Sequence, residues 1–145
     1  MRAAILIALA TLAIVLFSAR PTIADDADFK IIVHPENRVD AIDRTLLRNA
    51  FLKKSTSWNN GATFRPIGLT SRFSARSRFV ADVLKKTTSQ LKSYWNQQIF
   101  SGKGIPPPES DSVSSVVAYV LAHQGAVAFV PASADVGKAK VITIK

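Results

Sequence analysis

Val113-Ser114-Ser115-Val116-Val117-Ala118-Tyr119-Val120-Leu121-Ala122-His123-Gln124-Gly125-Ala126-Val127-Ala128-Phe129-Val130-Pro131 is the stretch that decides the fold. Val113, Val116, Val117, Val120 and Leu121 recur at i, i+3, i+4, i+7 and i+8, the apolar stripe of an amphipathic helix. Ser110 or Asp111 stands ahead of it as the cap. Gly125 is expected to stop the helix as a C′ residue. Ala126–Val130, closed by Pro131, reads as a buried strand. A helix that hands over to a buried strand is the unit from which α/β sheets are built.

The same alternation extends outward. Phe29–Val33 is a β-branched run ended by His34-Pro35 and reads as a strand. Asp40, with Asp43 three residues on, has the spacing of a capping box. Ile42, Leu46, Leu47, Ala50 and Phe51 follow at helical spacing, and Lys53 and Lys54 complement that helix's C-terminal dipole. Residues 55–61 form a turn, tightest at Asn60-Gly61. Phe64–Leu69 is a second strand, in which Pro66 marks an edge position or a strand start. Phe79, Val80, Val83 and Leu84 give one helical apolar face, and Leu91, Tyr94, Trp95 and Ile99 give another. Thr87-Thr88-Ser89 breaks the two, because hydroxyl side chains compete for backbone bonds and favour caps. Residues 101–108 carry two glycines and three prolines and form an extended surface loop. Lys138–Ile144 is a last, alternating strand. Together these elements predict an α/β fold with a small mixed sheet flanked by helices.

The 145 residues are 48% hydrophobic and 20% charged, with a mean hydropathy of +0.16, which fits one packed domain and excludes a disordered chain. The absence of cysteine removes disulfides, thiolate metal sites and cysteine nucleophiles. Met1-Arg2, the apolar run Ala3–Phe17 and the small-residue exit at Ala24 have the three parts of a secretory signal. The apolar run falls short of the ~20 residues that a membrane-spanning helix needs. Residues 1–24 are therefore expected to be a cleaved signal peptide and residues 25–145 a single domain, exported to the periplasm without stable membrane insertion.

Nineteen Lys and Arg stand against ten Asp and Glu, and removing Arg2 and Arg20 leaves a net charge of +7. Between Asp43 and Asp82 there is no acid, while Arg44, Arg48, Lys53, Lys54, Arg65, Arg72, Arg76 and Arg78 all fall there. Such a field favours an anionic ligand, partner or surface. It does not point to nucleic acid, because stacking aromatics are not interleaved with the basic residues and export removes the chain from nucleic acid. The two histidines, His34 and His123, lie in no metal-ligand spacing, and neither a G-x-S-x-G elbow nor a Walker A loop is present. The chain is expected to be no enzyme and to need no cofactor or metal.

One segment departs from ordinary helix chemistry. Helix N-termini carry partial positive charge and unpaired N–H donors, and they favour acids. Here the helix begins near Ser74 with Arg76 and Arg78 in its first turns and Arg72 just before it. An oxyanion would turn those guanidinium groups, the Ser74 and Ser77 hydroxyls and the helix N–H groups into one donor set. Arg72, Ser74, Arg76, Ser77 and Arg78 are the expected oxyanion ligands, on the condition that no acid of the chain already neutralises them.

The order of motifs resembles the substrate-binding proteins of phosphate ABC transporters, in the type II periplasmic-binding-protein superfamily. The matching pieces are Leu46–Leu52, Trp58-Asn59-Asn60-Gly61, Pro66-Ile67-Gly68-Leu69 and the Ser/Arg segment ending in Phe79. Tyr94-Trp95, Phe100-Ser101-Gly102-Lys103 and Gly125–Val130 follow, so the likeness runs from about Phe29 to Ala134. It implies a solute-binding role with phosphate as ligand, Arg72 standing for the family's arginine and Ser77 for its threonine. Ser74-Ala75-Arg76-Ser77 lacks the glycine of the family's phosphate loop, and the chain is long enough for one of the family's two lobes. Weak binding on an open face is the consequence, unless a second copy or another subunit supplies the opposing wall. The alternative is a cell-envelope interaction module, emptied of ligand function, that docks on a sensor or transporter component.

Overall fold

The computed structural model describes residues 27–145, and the expected signal peptide lies outside them. At the centre of its sheet is β5 (Ala126–Pro131), whose residues Ala126–Val130 are all buried. It pairs antiparallel with β1 (Phe29–Val33), Ile31 opposite Phe129, and parallel with β3 (Arg65–Leu69), Pro66 opposite Val127. A strand covered on both faces reads as an unbroken apolar run rather than an alternation, as this one does. Beyond β1 lie β6 (Lys140–Ile144), antiparallel to it, and β2 (Ala41–Ile42), parallel to β6. Beyond β3 lies β4 (Glu109–Ser110), parallel to it, with Gly68 opposite Glu109. The sheet is thus mixed and six-stranded, in the order β2-β6-β1-β5-β3-β4. β4 pairs only from Gly68 onward, so β3 is an edge where Pro66 sits.

The flanking helices are α1 (Arg44–Phe51), α2 (Ser74–Phe79), α3 (Thr88–Phe100) and α4 (Val113–Ala122), with a π-helical turn, Val80–Leu84, continuing α2. The break before α3 falls where the hydroxyl residues predict it. Lys85 turns into the left-handed region at φ 56°, and Thr87 forms a capping box with Gln90.

Three boundary expectations are corrected. Asp43, not Asp40, caps α1, accepting the Thr45 and Leu46 N–H groups at 2.9 and 3.1 Å. Ala41 and Ile42 are drawn out to pair with Thr143 and Ile144, so Asp40 lies before a strand and its carboxylate meets Lys140 Nζ at 2.8 Å. Ser112 replaces Ser110 and Asp111 as the cap of α4, because Glu109–Ser110 is held in the sheet. Gly125 is not the helix stop, since α4 ends at Ala122 with His123 extended after it. Its glycine identity serves a close approach instead: a Cβ there would lie 1.9 Å from the Thr63 carbonyl oxygen.

Aromatic packing fixes α2 over the sheet. The Phe79 ring stacks on Phe129 of β5 with centroids 4.2 Å apart, and it meets Phe51 of α1 at 4.7 Å and Phe29 of β1 at 5.4 Å. Gly68 makes room for this, because a Cβ there would come within 2.9 Å of the Phe129 ring. Fully burying one such side chain stabilises the fold by about 1.5–3 kcal/mol. The cluster therefore anchors the C-terminal end of α2 over β5, β1 and α1.

Candidate functional site

β3 ends at Leu69 and feeds α2, and its parallel neighbour β4 ends at Ser110 and feeds α4. The C-terminal ends of parallel strands, from which helices begin, are where open α/β sheets hold their ligands. The two turns are bonded together: the Thr70 N–H donates to the Ser110 carbonyl at 3.1 Å, and the Phe73 N–H closes the first turn on Thr70. The Asp111 carboxylate sits at this junction. One oxygen accepts from the Thr70 hydroxyl, and the other lies 4.0 Å from Arg72 Nη1.

The sequence-derived ligands divide into two groups. Arg72 and Arg76 reach toward β4 and the residue after it. Arg76 is the more enclosed, 16% exposed, and its Nε and Nη2 both donate to Glu109 Oε1, at 3.0 and 2.8 Å. Ser77 and Arg78 bond within their own helix. The Ser77 hydroxyl donates to the Ser74 carbonyl at 3.0 Å, and Arg78 Nε donates to Asp82 Oδ2 at 2.7 Å. That hydrogen bond, then the charges of Asp82 and Asp28, push the Arg78 pKa up, so the group is a fixed cation. Ser74 is the first residue of α2, after an N-cap, Phe73, that offers the helix no side-chain acceptor.

The expectation of uncompensated positive charge is thereby corrected. Arg72, Arg76 and Arg78 face Asp111, Glu109 and Asp82 of the same chain. Asp82 is one helical turn from its partner, but Glu109 is 33 residues away, and only the β3–β4 pairing brings it in. Thr70, Glu109 and Asp111 are the residues of this junction that sequence reasoning did not place in the candidate site. Their one signal is that Glu109 and Asp111 are the only acids between Asp82 and Asp135.

Beside the junction an open groove of about 670 Å³ runs between α3, the proline loop and the sheet; Thr70, Arg76, Phe79, Trp95, Pro107 and Glu109 are among its lining residues. Both histidines are engaged locally: His34 Nδ1 accepts the Glu36 N–H at 3.1 Å, and His123 Nδ1 lies 2.8 Å from the Tyr119 carbonyl. Among the described residues no three His, Asp or Glu side chains gather to hold a metal.

No protein-family model matches the chain, and no curated protein sequence does. Solved structures do. A phosphate ABC transporter substrate-binding protein from Clostridium perfringens, determined with bound phosphate, superposes with a TM-score of 0.61 at 13% identity, over 81% of this chain and 44% of the other. The fold is that of a single periplasmic-binding-protein lobe. An ABC-type phosphate transport receptor from Vibrio cholerae superposes with a TM-score of 0.63 at 18% identity, over 81% of this chain and 46% of the other. PstS from Borrelia burgdorferi gives 0.56, 12%, and 81% and 47%. The chain thus spans less than half the length of each of these structures, and at these identities the likeness is one of fold.

Proposed function

We propose that this lobe is an exported, non-enzymatic solute-binding module that holds an oxyanion such as phosphate weakly at the β3–α2 junction, in competition with its own Asp111. The observation that carries the reading is the meeting of the Thr70 hydroxyl and Arg72 on the Asp111 carboxylate. Donors suited to a charged oxygen pair are assembled there, beside the start of α2. Beside Arg72, the proposed ligands are Ser74, Arg76, Ser77 and Arg78, and an anion there competes with the Ser77 bond to the Ser74 carbonyl and with Glu109 and Asp82 for the two arginines. The phosphate bound by the C. perfringens protein supports an oxyanion over other ligands. Three acids against three arginines keep the binding weak, as does the exposure of Arg72 at 76%. An ABC-transporter-associated role in the periplasm, with a second copy or another subunit as the opposing wall, belongs to the same reading.

Isothermal titration of wild type and Asp111→Asn with phosphate and with sulfate tests it. Removing the internal competitor is expected to tighten binding about tenfold, which is about 1.4 kcal/mol.

The enclosed Arg76–Glu109 pair favours a second reading, in which ligand function is lost and the lobe docks on a sensor or transporter component of the envelope. Affinity capture that finds one stoichiometric partner, lost on changing Arg76 and Arg78 to Glu, supports it. Absence of heat with both wild type and Asp111→Asn removes the oxyanion reading and leaves this one.

A further inference from the structure

α3 ends in an apolar tip that faces water. Phe100, its last residue, is 95% exposed, and Ile105 and Ile99 beside it are 70% and 52% exposed. The helical pattern groups Ile99 with Leu91, Tyr94 and Trp95, but the structure buries Leu91 and Trp95 and leaves Ile99 outside. The tip is not a frayed end. The Gly102 N–H donates to the Ile99 carbonyl at 3.1 Å and the Lys103 N–H to the Gln98 carbonyl at 2.9 Å, with Gly102 at φ 69°. That is a Schellman closure, which ties off the helix's last carbonyls and fixes the backbone that presents Phe100. Pro106-Pro107-Pro108 stiffens the return of the loop. Large apolar side chains held in water by a rigid turn gain nothing from the isolated fold.

The charge along this part of the chain points to what covers them. Between Asp82 and Glu109 there is no acid, and all four cations there, Lys85, Lys86, Lys92 and Lys103, are lysines. Lys92 lies on the helical stripe of Ile99, seven residues earlier, and Lys103 lies between Phe100 and Ile105; both are exposed. Aromatic anchors at protein interfaces keep company with arginine, while lysine is depleted there. A lipid surface takes lysine well, because its stem lies along apolar matter while its ammonium meets phosphate.

We propose that this tip docks on an anionic membrane surface, with Phe100, Ile99 and Ile105 entering the headgroup region and Lys92 and Lys103 meeting lipid phosphates. The docking is peripheral and salt-sensitive: among the described residues no helix is long and apolar enough to cross a membrane. It stands apart from the oxyanion reading, since no tip residue belongs to the β3–α2 junction.

The chain has no cysteine, and a Cβ at Gly104 meets nothing within 4 Å, so Gly104→Cys accepts an environment-sensitive fluorophore at the tip of the protein produced from residue 25 onward, without the apolar run Ala3–Phe17. Vesicles of phosphatidylcholine with phosphatidylglycerol are expected to shift its emission to the blue. Pure phosphatidylcholine or high salt is expected to abolish the shift. Adding Phe100→Ser and Ile105→Ser is expected to weaken partitioning about tenfold or more, at positions where the fold tolerates polar residues. Lys92→Glu with Lys103→Glu, which leaves the apolar tip intact, is expected to remove the dependence on phosphatidylglycerol. An unchanged spectrum with anionic vesicles, or equal binding by the serine variant, overturns the proposal. So does a concentration-dependent shift without lipid, which would assign the tip to a protein interface.

Discussion

The indole Nε1 of Trp58 donates to the carbonyl of Gly125 at 3.0 Å, joining residues 67 positions apart. The Gly125 carbonyl also accepts the Arg65 N–H at 3.0 Å, so one oxygen ties the turn before β3 to the approach of β5. Close contact makes this possible, and a side chain at Gly125 would strike the Thr63 carbonyl. Gly125→Ala is expected to cost about 3 kcal/mol, the upper part of the range for overpacking. Trp58→Phe, which keeps the ring and loses the donor, is expected to cost about 1 kcal/mol. Denaturant midpoints at constant slope measure both.

The ring cluster around Phe79 is the larger contributor. Phe79→Ala is expected to destabilise the fold by about 3–5 kcal/mol, since it empties the space between Phe29, Phe51 and Phe129. Phe100→Ala, at an exposed position, is expected to fall within about 0.5 kcal/mol of wild type. Equal losses at the two positions would contradict the packing described for α2.

Tyr94 gives a pH signature. Its hydroxyl donates to the Leu52 carbonyl at 2.7 Å, and burial pushes its pKa above the ordinary value of 10.0. A raised folded-state value means that the folded protein keeps a proton the unfolded chain releases. The associated stability is complete below pH 10.0 and is lost as pH rises through the folded value. Phenolate absorbance of the native protein is expected to show a titration step above the ordinary tyrosine value, and Tyr94→Phe is expected to remove that step.

The regular elements were legible where one local force dominated. Val116 and Val120 are buried on the stripe that the sequence marks, and the Thr87 capping box is an arrangement of neighbours. What distant strands decide was not legible. Ile42 opens a helical apolar pattern, yet β6 draws Ala41 and Ile42 into the sheet and moves the cap to Asp43. Glycine identity points equally to a helix stop and to a close approach, and only the neighbour at Gly125, Thr63, distinguishes them. The candidate site failed in the same way. The arginine segment is local and visible, but its neutralising acids, Glu109 and Asp111, arrive through the β3–β4 pairing.

The central claim is that an oxyanion and the Asp111 carboxylate share one set of donors. Calorimetric titration of Asp111→Asn with phosphate, beside wild type at equal ionic strength, tests it most directly. Saturable heat that is weak in wild type and about tenfold tighter in the variant is the expected result. Identical affinities in the two proteins, or no heat in either, would contradict the account.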